Sequence, residues 1–490
     1  MCFRAIILFI FALLPCSIKT GAKTIYVKDY ELEKTSSNEE RFWLLRKAHE
    51  EALNTSVSIS YKGIDQITIE IPNGAKSIPL PSYTDFAGVE IIVKNSKVQS
   101  FPLFVLTQEL NKVEVTKEQI TSGKFNEVGE LKRGRKILVI EDESPWVNIR
   151  KGYSYGALRK DILYLKNGKA QGQVIAAYNN EMSSPNCFYC DVKGQRTKIK
   201  NLIFTRTADS EQITLLFSIC NQNDLKIDNV TINTPESELH RDCAIGIMNV
   251  TNLRMNNVII NGTYSQERKY GYGISMNNVW NARFKRLRAH GKWGVFGNNN
   301  VNHTVIEDSD INRFDIHCYG RDVFCYRTTF RNIYNQFSSL YGQLVFDGCV
   351  FINFVPVLFE DTYSAYTPFE LVIKNSTLAV RADRPCLVAA GYAVDPPEGA
   401  RRELCETSWP NVTIDNVEVV LPPGQKDWLV FKINSEPTVK VKNISQIKVN
   451  GLKILTTESE GSVKFSNYPI QTEEEVKYIM MGSSKAKMVF

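Results

Sequence analysis

Residues 225–260, "LKIDNVTINTPESELHRDCAIGIMNVTNLRMNNVII", carry one short pattern twice, as "LKIDNVTI" and "LRMNNVII". Apolar residues alternate with polar ones, an Asn interrupts, and a second alternating pair follows. Period-two alternation belongs to an extended strand with one face in a core. Asn tolerates left-handed backbone angles and so supplies a bend. The pattern recurs as "TKIKNLIF", "ARFKRLRA", "TVIEDSDI", "VFCYRTTF", "LVFDGCVF", "LVIKNSTL", "VTIDNVEV" and "IKVNGLKI". Its third position is held in turn by Ile199, Ile227, Met255, Phe284, Ile306, Cys325, Phe346, Ile373, Ile414 and Val449, separated by 28, 28, 29, 22, 19, 21, 27, 41 and 35 residues. A repeat of roughly 20–30 residues built on short strands is too short for a propeller blade and fits one turn of a parallel β-helix. The shortest coils, Phe284 to Phe346, leave little room for loops, so longer neighbours on either side should wall a cleft across them.

An open solenoid end exposes core and sheet edge and needs a cap. "SNEERFWLLRKAHEEAL", Ser37 to Leu53, reads as an amphipathic helix with Phe42, Leu45, Ala48, Ala52 and Leu53 as its apolar stripe and Ser37 or Asn38 as N-cap. Alternating "SVSISY" and "QITIEIP" follow. This order resembles the opening of secreted pectate-lyase-like proteins. The resemblance implies an all-β chain folded as a single right-handed parallel β-helix with an N-terminal amphipathic helix cap. The expected layout is a signal peptide at 1–22, cap and first coils at 23–130, β-helix with a catalytic cleft at 131–455, and a C-terminal cover at 456–490 where the ladder is lost.

The leader has one Arg, an apolar run and then small residues, a secretory signal rather than a membrane span. Export to the periplasm or cell surface is the expectation, with a lipid anchor at Cys16 as a weaker variant. The chain has 43% apolar and 23% charged residues and a net charge of +6. That charge is too diffuse for nucleic acid and favours an anionic substrate only mildly. No other segment reads as transmembrane, and a monomer is expected. Of the 11 cysteines, Cys2 and Cys16 lie in the leader, and an odd remainder argues against a full disulfide framework. Cys187-Phe-Tyr-Cys190 has no second pair at zinc spacing, so a buried or disulfide-bonded pair outweighs a metal site. Cys386 and Cys405 bracket a Pro/Gly-rich excursion that a disulfide would close.

Within the short coils, "NRFDIHCYGRDVFCYR" (312–327) crowds ionisable groups onto a strand. Three of the five histidines, His290, His303 and His317, fall here. Alternation puts Arg313, Asp315, His317 and Tyr319 on one face and Phe314, Ile316 and Cys318 on the other. The apolar set must be the core side, which leaves the polar four in an exposed row. Aligning "NRFDIHCYG" with "YNQFSSLYG" sets Tyr319 beside Tyr341, His317 beside Ser339 and Arg313 beside Asn335.

Such a row is often only a solvated sheet face. It also suits β-elimination of a uronic-acid polysaccharide, which needs a cation at the carboxylate, a base for the α-proton and an acid for the leaving oxygen. Arg313, His317 and Tyr319 would supply these, with the base left open between His317 and Tyr319. Asp315 would orient His317, while Arg288, His290, Lys292, Asn299, Arg321 and Tyr341 would hold neighbouring sugars. Hydrolysis needs paired carboxylates. The acids of "EDSD", Glu307 to Asp310, are better explained by turn geometry, and Glu360-Asp361 is the best hydrolase candidate. No metal site or cofactor is firmly implied; Ca²⁺ stays open, with Glu360-Asp361 as a ligand pair. A non-catalytic glycan-binding solenoid is the third reading.

"NNNVNHTVIEDSDINRFDIHCYGRDVFCYRTTFRN" followed by "FEDTYSAYTPFELVIKNSTL" resembles exported gut-bacterial β-helix proteins with an Arg-x-Asp-x-His strand, among them lyases of chondroitin sulphate, dermatan sulphate or hyaluronan. The resemblance implies a polysaccharide lyase on an acidic glycan, with Arg313, Asp315 and His317 at the motif positions.

Overall fold

The computed structural model describes residues 23–489 apart from 95–101, 143–147, 150–155, 158, 175–177, 179–183, 193, 195, 208–214, 235–243, 262–271, 290–293, 332–333, 338–339, 360–368, 391–406, 409, 434–440, 443–445, 459–461, 467–476 and 481–486. The leader, His290, Lys292, Glu360, Asp361 and Cys405 therefore lie outside the described residues. Among the described residues no helix is long and apolar enough to cross a membrane.

The chain is a right-handed parallel β-helix, and its register follows the repeat residue by residue. Ile199 pairs with Ile227, Ile227 with Met255, Met255 with Phe284 and Phe284 with Ile306. Ile306 then pairs with Cys325, Cys325 with Phe346, Phe346 with Ile373, Ile373 with Ile414 and Ile414 with Val449. These side chains stack into one continuous core. Each coil alone would leave that stripe wet; only stacking removes it from water.

The residue two places after each column member turns the corner with a left-handed backbone. Asn201, Asn229, Asn257, Arg286, Asp308, Arg327, Gly348, Asn375, Asn416 and Gly451 all have φ between 47° and 68°. Where Asn repeats, its side chain also bonds to the next coil, as from Asn229 to Asn201 and from Asn257 to Asn229, both at 3.0 Å. A second such ladder joins Asn221, Asn249 and Asn278.

The cap helix spans Asn38–Asn54, and Ser37 caps it by accepting from the Glu40 N–H at 3.3 Å. Its buried side is Phe42, Leu45, Ala48, His49 and Ala52. Leu53, expected in that stripe, is instead 43% exposed because the helix turns it past the covered edge. His49 takes the place that the apolar stripe left empty. Its ring lies between the Pro79 carbonyl at 3.0 Å and the Tyr61 hydroxyl at 2.7 Å. Burial drives its pKa down to about 3, against the pull of the Pro79 carbonyl.

Two expectations are corrected. The β-helix expected over 131–455 does not run on directly from the first coils: five antiparallel strands intervene, in the order Lys169–Ala170, Arg159–Lys166, Arg135–Asp142, Asn186–Asp191, Asn111–Val113. Alternation has the same period in both kinds of sheet, so "RKILVIED" and "RKDILYLK" read as further coil strands. This insert encloses its own core around Phe125, Leu138 and Leu163. It docks on the solenoid through Tyr164 stacked on Trp280, centroids 6.4 Å apart, and through Asn278 donating to the Asp161 carbonyl at 3.1 Å. At the other end the ladder is not lost after Gly451, since Lys477–Met480 pairs in parallel with Gln446–Asn450 and Lys487–Val489 with Ser462–Ser466.

Cys187 and Cys190 are both buried but face opposite sides of their strand, one in the insert core and the other in the docking layer. That placement prevents both a shared metal and a disulfide between them. Cys386 is a buried thiol without a disulfide.

Candidate functional site

The strand Asp315–Tyr326 and its flanks deliver part of the expected row and rearrange the rest. Phe314 and Ile316 enter the core, as alternation requires. Asp315 lies on the outer column with Gln336, Leu358, Ala389 and Lys432. The phasing is right, but the exposure is not: Arg313 and Asp315 are each 0% exposed. A second apolar cluster, Val355, Leu358, Cys386 and Ala389, covers this part of the outer wall and packs Tyr334 and Leu429 against itself. Charges can be enclosed there because they pair. Arg313 Nε donates to Asp315 Oδ2 at 2.6 Å, its Nη2 donates to the same oxygen, and the Gln336 N–H donates to Oδ1 at 3.2 Å. Burial works against the Arg313 charge, but Asp315 outweighs it and raises the guanidinium above its ordinary pKa. Arg313 is therefore no substrate-facing cation, and Asp315 serves Arg313 rather than positioning His317 in the open.

His317 is half-buried and sits at a bulge, for the preceding coil places Asn298 level with Ile316 and Asn299 level with Cys318. A bulge re-aims a side chain and shifts the phase of the residues after it. Cys318 thus takes the register position beside Asn299; the Tyr319 side chain lies outside the described set. The phenol that meets His317 is Tyr272. Its hydroxyl shares a hydrogen bond of 3.0 Å with His317 Nε2, the ring centroids lying 5.7 Å apart.

Tyr272 begins a strand two coils earlier and reaches His317 across Gly297. A Cβ on Gly297 would stand 2.6 Å from two carbons of the Tyr272 ring, so only glycine admits this path. Sequence reasoning misses Tyr272 because it lies at the end of a long interstrand segment and matches no repeat position. Behind the pair, the Arg313 guanidinium lies 5.3 Å from the Tyr334 ring centroid, and its charge interacts with both Tyr272 and Tyr334.

Of the other expected residues, half-buried Asn299 does lie beside the bulge, in register with Asn277 and Cys318. The expected alignment with the following coil is out by one or two residues. Asp315 pairs with Gln336, and Arg321, not Tyr319, pairs with Tyr341. Arg321 also faces Asp322 at 3.6 Å. Arg288 is exposed on a separate column beside Ile259 and Asp310. His303 turns a left-handed corner and packs on Phe324, centroids 5.5 Å apart. The "EDSD" acids are held in ion pairs: Glu307 with Arg283 at 2.9 Å, Asp308 with Arg327 at 2.6 Å and Asp310 with Arg331 at 2.6 Å. Hydrogen bonding to Arg283 and to Arg327 holds the Glu307 and Asp308 carboxyls below their usual range. Among the described residues no group of three or more His, Cys, Asp or Glu side chains is placed to hold a metal.

No family model and no curated protein matches the sequence. Several solved structures share the coil architecture. The tailspike gp61 of Pseudomonas phage phi297 is 11% identical with a TM-score of 0.48, over 92% of this chain and 83% of the tailspike. The tailspike gp49 of Pseudomonas phage LKA1 is likewise 11% identical with a TM-score of 0.48, over 94% of this chain and 83% of its own. A hyperthermoactive exopolygalacturonase from Thermotoga maritima is 12% identical with a TM-score of 0.33, over 94% of this chain and 92% of its own. Likenesses this distant carry no inference about chemistry.

Proposed function

We propose that the protein is an exported, monomeric polysaccharide lyase acting on a uronic-acid-containing glycan, of the glycosaminoglycan type such as chondroitin sulphate or hyaluronan. The observation that carries the reading is the imidazole–phenol pair, His317 and Tyr272, 3.0 Å apart on the outer wall of the coils. β-Elimination breaks the C5–H and C4–O bonds of the uronate and forms a C4–C5 double bond. One member of the pair takes the C5 proton and the other returns a proton to the departing glycosidic oxygen. Phenol and imidazole both exchange protons, and each is already within hydrogen-bond reach of the other. Arg313, although paired with Asp315, lies behind the imidazole–phenol pair, and its charge reaches Tyr272. Asn299 and Asn277 offer hydrogen-bonding groups on the adjoining strands.

The test is incubation with hyaluronan, chondroitin sulphate, heparin, alginate and pectin while following the ultraviolet absorbance of unsaturated uronate. The intact protein is expected to generate that signal on at least one of them. His317→Ala and Tyr272→Phe are expected to lower turnover at least about a hundredfold without changing thermal stability. Gly297→Ala should reproduce part of the loss by displacing the Tyr272 ring. New reducing ends without absorbance would replace elimination by hydrolysis, and full turnover in both variants would move the site elsewhere.

A further inference from the structure

One cationic group near the pair makes no ion pair among the described residues. Arg384 lies just before the strand Cys386–Ala390, and its guanidinium carbon stands 5.8 Å from the centroid of Tyr334, the ring that Arg313 also approaches. Arg313 is neutralised by Asp315. The half-buried Arg384 makes no side-chain hydrogen bond or ion pair among the described residues, and its Nη1 is shielded from solvent without an acceptor. The neighbouring acid gives it no hydrogen bond. Asp383 commits its two oxygens to Arg381, at 2.8 and 3.1 Å. Lys432 joins the same spot, its Nζ donating to the Asp383 backbone carbonyl at 2.9 Å rather than to a carboxylate. Lys432 and Arg384 both act electrostatically on the buried Cys386 thiol, and Asp383 acts on it in the opposite sense.

Among the described residues two positive charges thus share this position with one acid, which feels Arg384 at a distance but gives its hydrogen bonds to a third cation. Leaving a guanidinium nitrogen shielded from water without an acceptor is unfavourable. A planar fork of N–H donors is also the geometry that carboxylate and sulfate groups match. We infer that Arg384 and Lys432 form an anion-binding subsite that takes a carboxylate or sulfate of the glycan unit next to the one at His317 and Tyr272. The assignment rests on the polysaccharide reading above, and it gives to Arg384 the substrate-facing role for which Arg313 is too deeply enclosed.

The experiment separates the two ideas by measuring binding without turnover. In a His317→Ala background, affinity is measured for a hyaluronan oligosaccharide (carboxylate only), a size-matched chondroitin 4-sulfate oligosaccharide (carboxylate and sulfate) and an uncharged oligosaccharide. Adding Arg384→Gln is expected to weaken binding of at least one anionic ligand about tenfold to a hundredfold, as loss of a charge-assisted hydrogen bond does. The loss should shrink as salt is raised, and Arg384→Lys should recover part of it. A loss confined to the chondroitin ligand assigns the subsite to sulfate, and an equal loss on both assigns it to carboxylate. Unchanged affinity in Arg384→Gln, absence of binding to both anionic ligands, or an equal loss on the uncharged one overturns the proposal. Should the anionic ligands bind through Arg384 while the intact protein cleaves neither, the lyase reading falls and the subsite stands.

Discussion

The coils from Ile199 to Met255 and those from Phe284 to Phe346 turn the same left-handed corner with different chemistry. In the first set the corner is Asn201, Asn229 and Asn257, each bonded to the next. In the second it is Arg286, Asp308, Arg327 and Gly348. There Asp308 and Arg327 are tied to each other by an ion pair, and Arg286 is held by a hydrogen bond to Asn256. The strands differ in the same way. Pairing through the first set is continuous, whereas register shifts occur at Asn298/Asn299, Arg321/Val323 and Tyr334/Gln336 in the second. A solenoid is stable wherever each level of the sequence repeats the same instruction. Where it stops repeating, the residues are held for another purpose.

The largest effect should come from the most enclosed departure. Asp315→Ala leaves Arg313 charged with 0% exposure, and breaking one side of a buried pair typically costs about 3–5 kcal/mol. Denaturant unfolding should show that loss, and replacing both partners with apolar residues should recover most of it. A loss below about 1 kcal/mol for Asp315→Ala would mean that water reaches the pair.

The cap buries an ionisable group by the opposite device, keeping it neutral. His49 is protonated only below about pH 3 in the folded protein, against an ordinary 6.5 in the unfolded chain. A depressed folded pKa contributes stability that is complete above pH 6.5 and declines as pH falls towards 3. The unfolded state binds the extra proton, so the slope is about 1.4 kcal/mol per pH unit. His49→Gln should flatten the stability profile across that window relative to the parent; parallel profiles would mean that His49 opens to water before it titrates.

In the regular coils, Asn229→Ala removes a rung of the ladder and leaves a bare methyl side chain at φ 53°, without the polar group that eases left-handed geometry. Left-handed strain alone is about 1–2 kcal/mol. Asn229→Gly should cost less, isolating the ladder bonds from the strain. Equal losses would show that the bonds, not the backbone, hold the corner.

How much of this was legible divides along the same line. The column from Ile199 to Val449 could be aligned from sequence because every coil repeats apolar, polar, apolar and bend. The cap helix was legible for the same reason, through Phe42, Leu45, Ala48 and Ala52. The site was only half legible. Alternation located Arg313, Asp315 and His317 on the outer wall, but no local pattern says that Leu358 and Ala389 from later coils will cover it. A bulge adds one residue without altering composition, so the shift that sets Arg321 rather than Tyr319 beside Tyr341 left no trace. Tyr272 depends on the absence of a side chain at Gly297, a contact between coils rather than along one. The antiparallel insert shared the period of the coils and differed only in strand direction.

The smallest effect would be a repair. Arg286 stands directly above Asn257 in the corner column, with φ 53° and an exposed hydrogen bond of 2.7 Å from Nη2 to Asn256 Oδ1. Arg286→Asn gives up that exposed bond, worth little in water. In return it places at the corner the residue that best accepts left-handed geometry and can donate to Asn257 Oδ1, extending the ladder by one rung. The two changes nearly offset, and a net gain of about 0.5 kcal/mol in denaturant unfolding is expected from relief of left-handed strain. A loss instead would show that the charged corners of the short coils are themselves structural, and the contrast with the asparagine coils would then be one of means rather than of purpose.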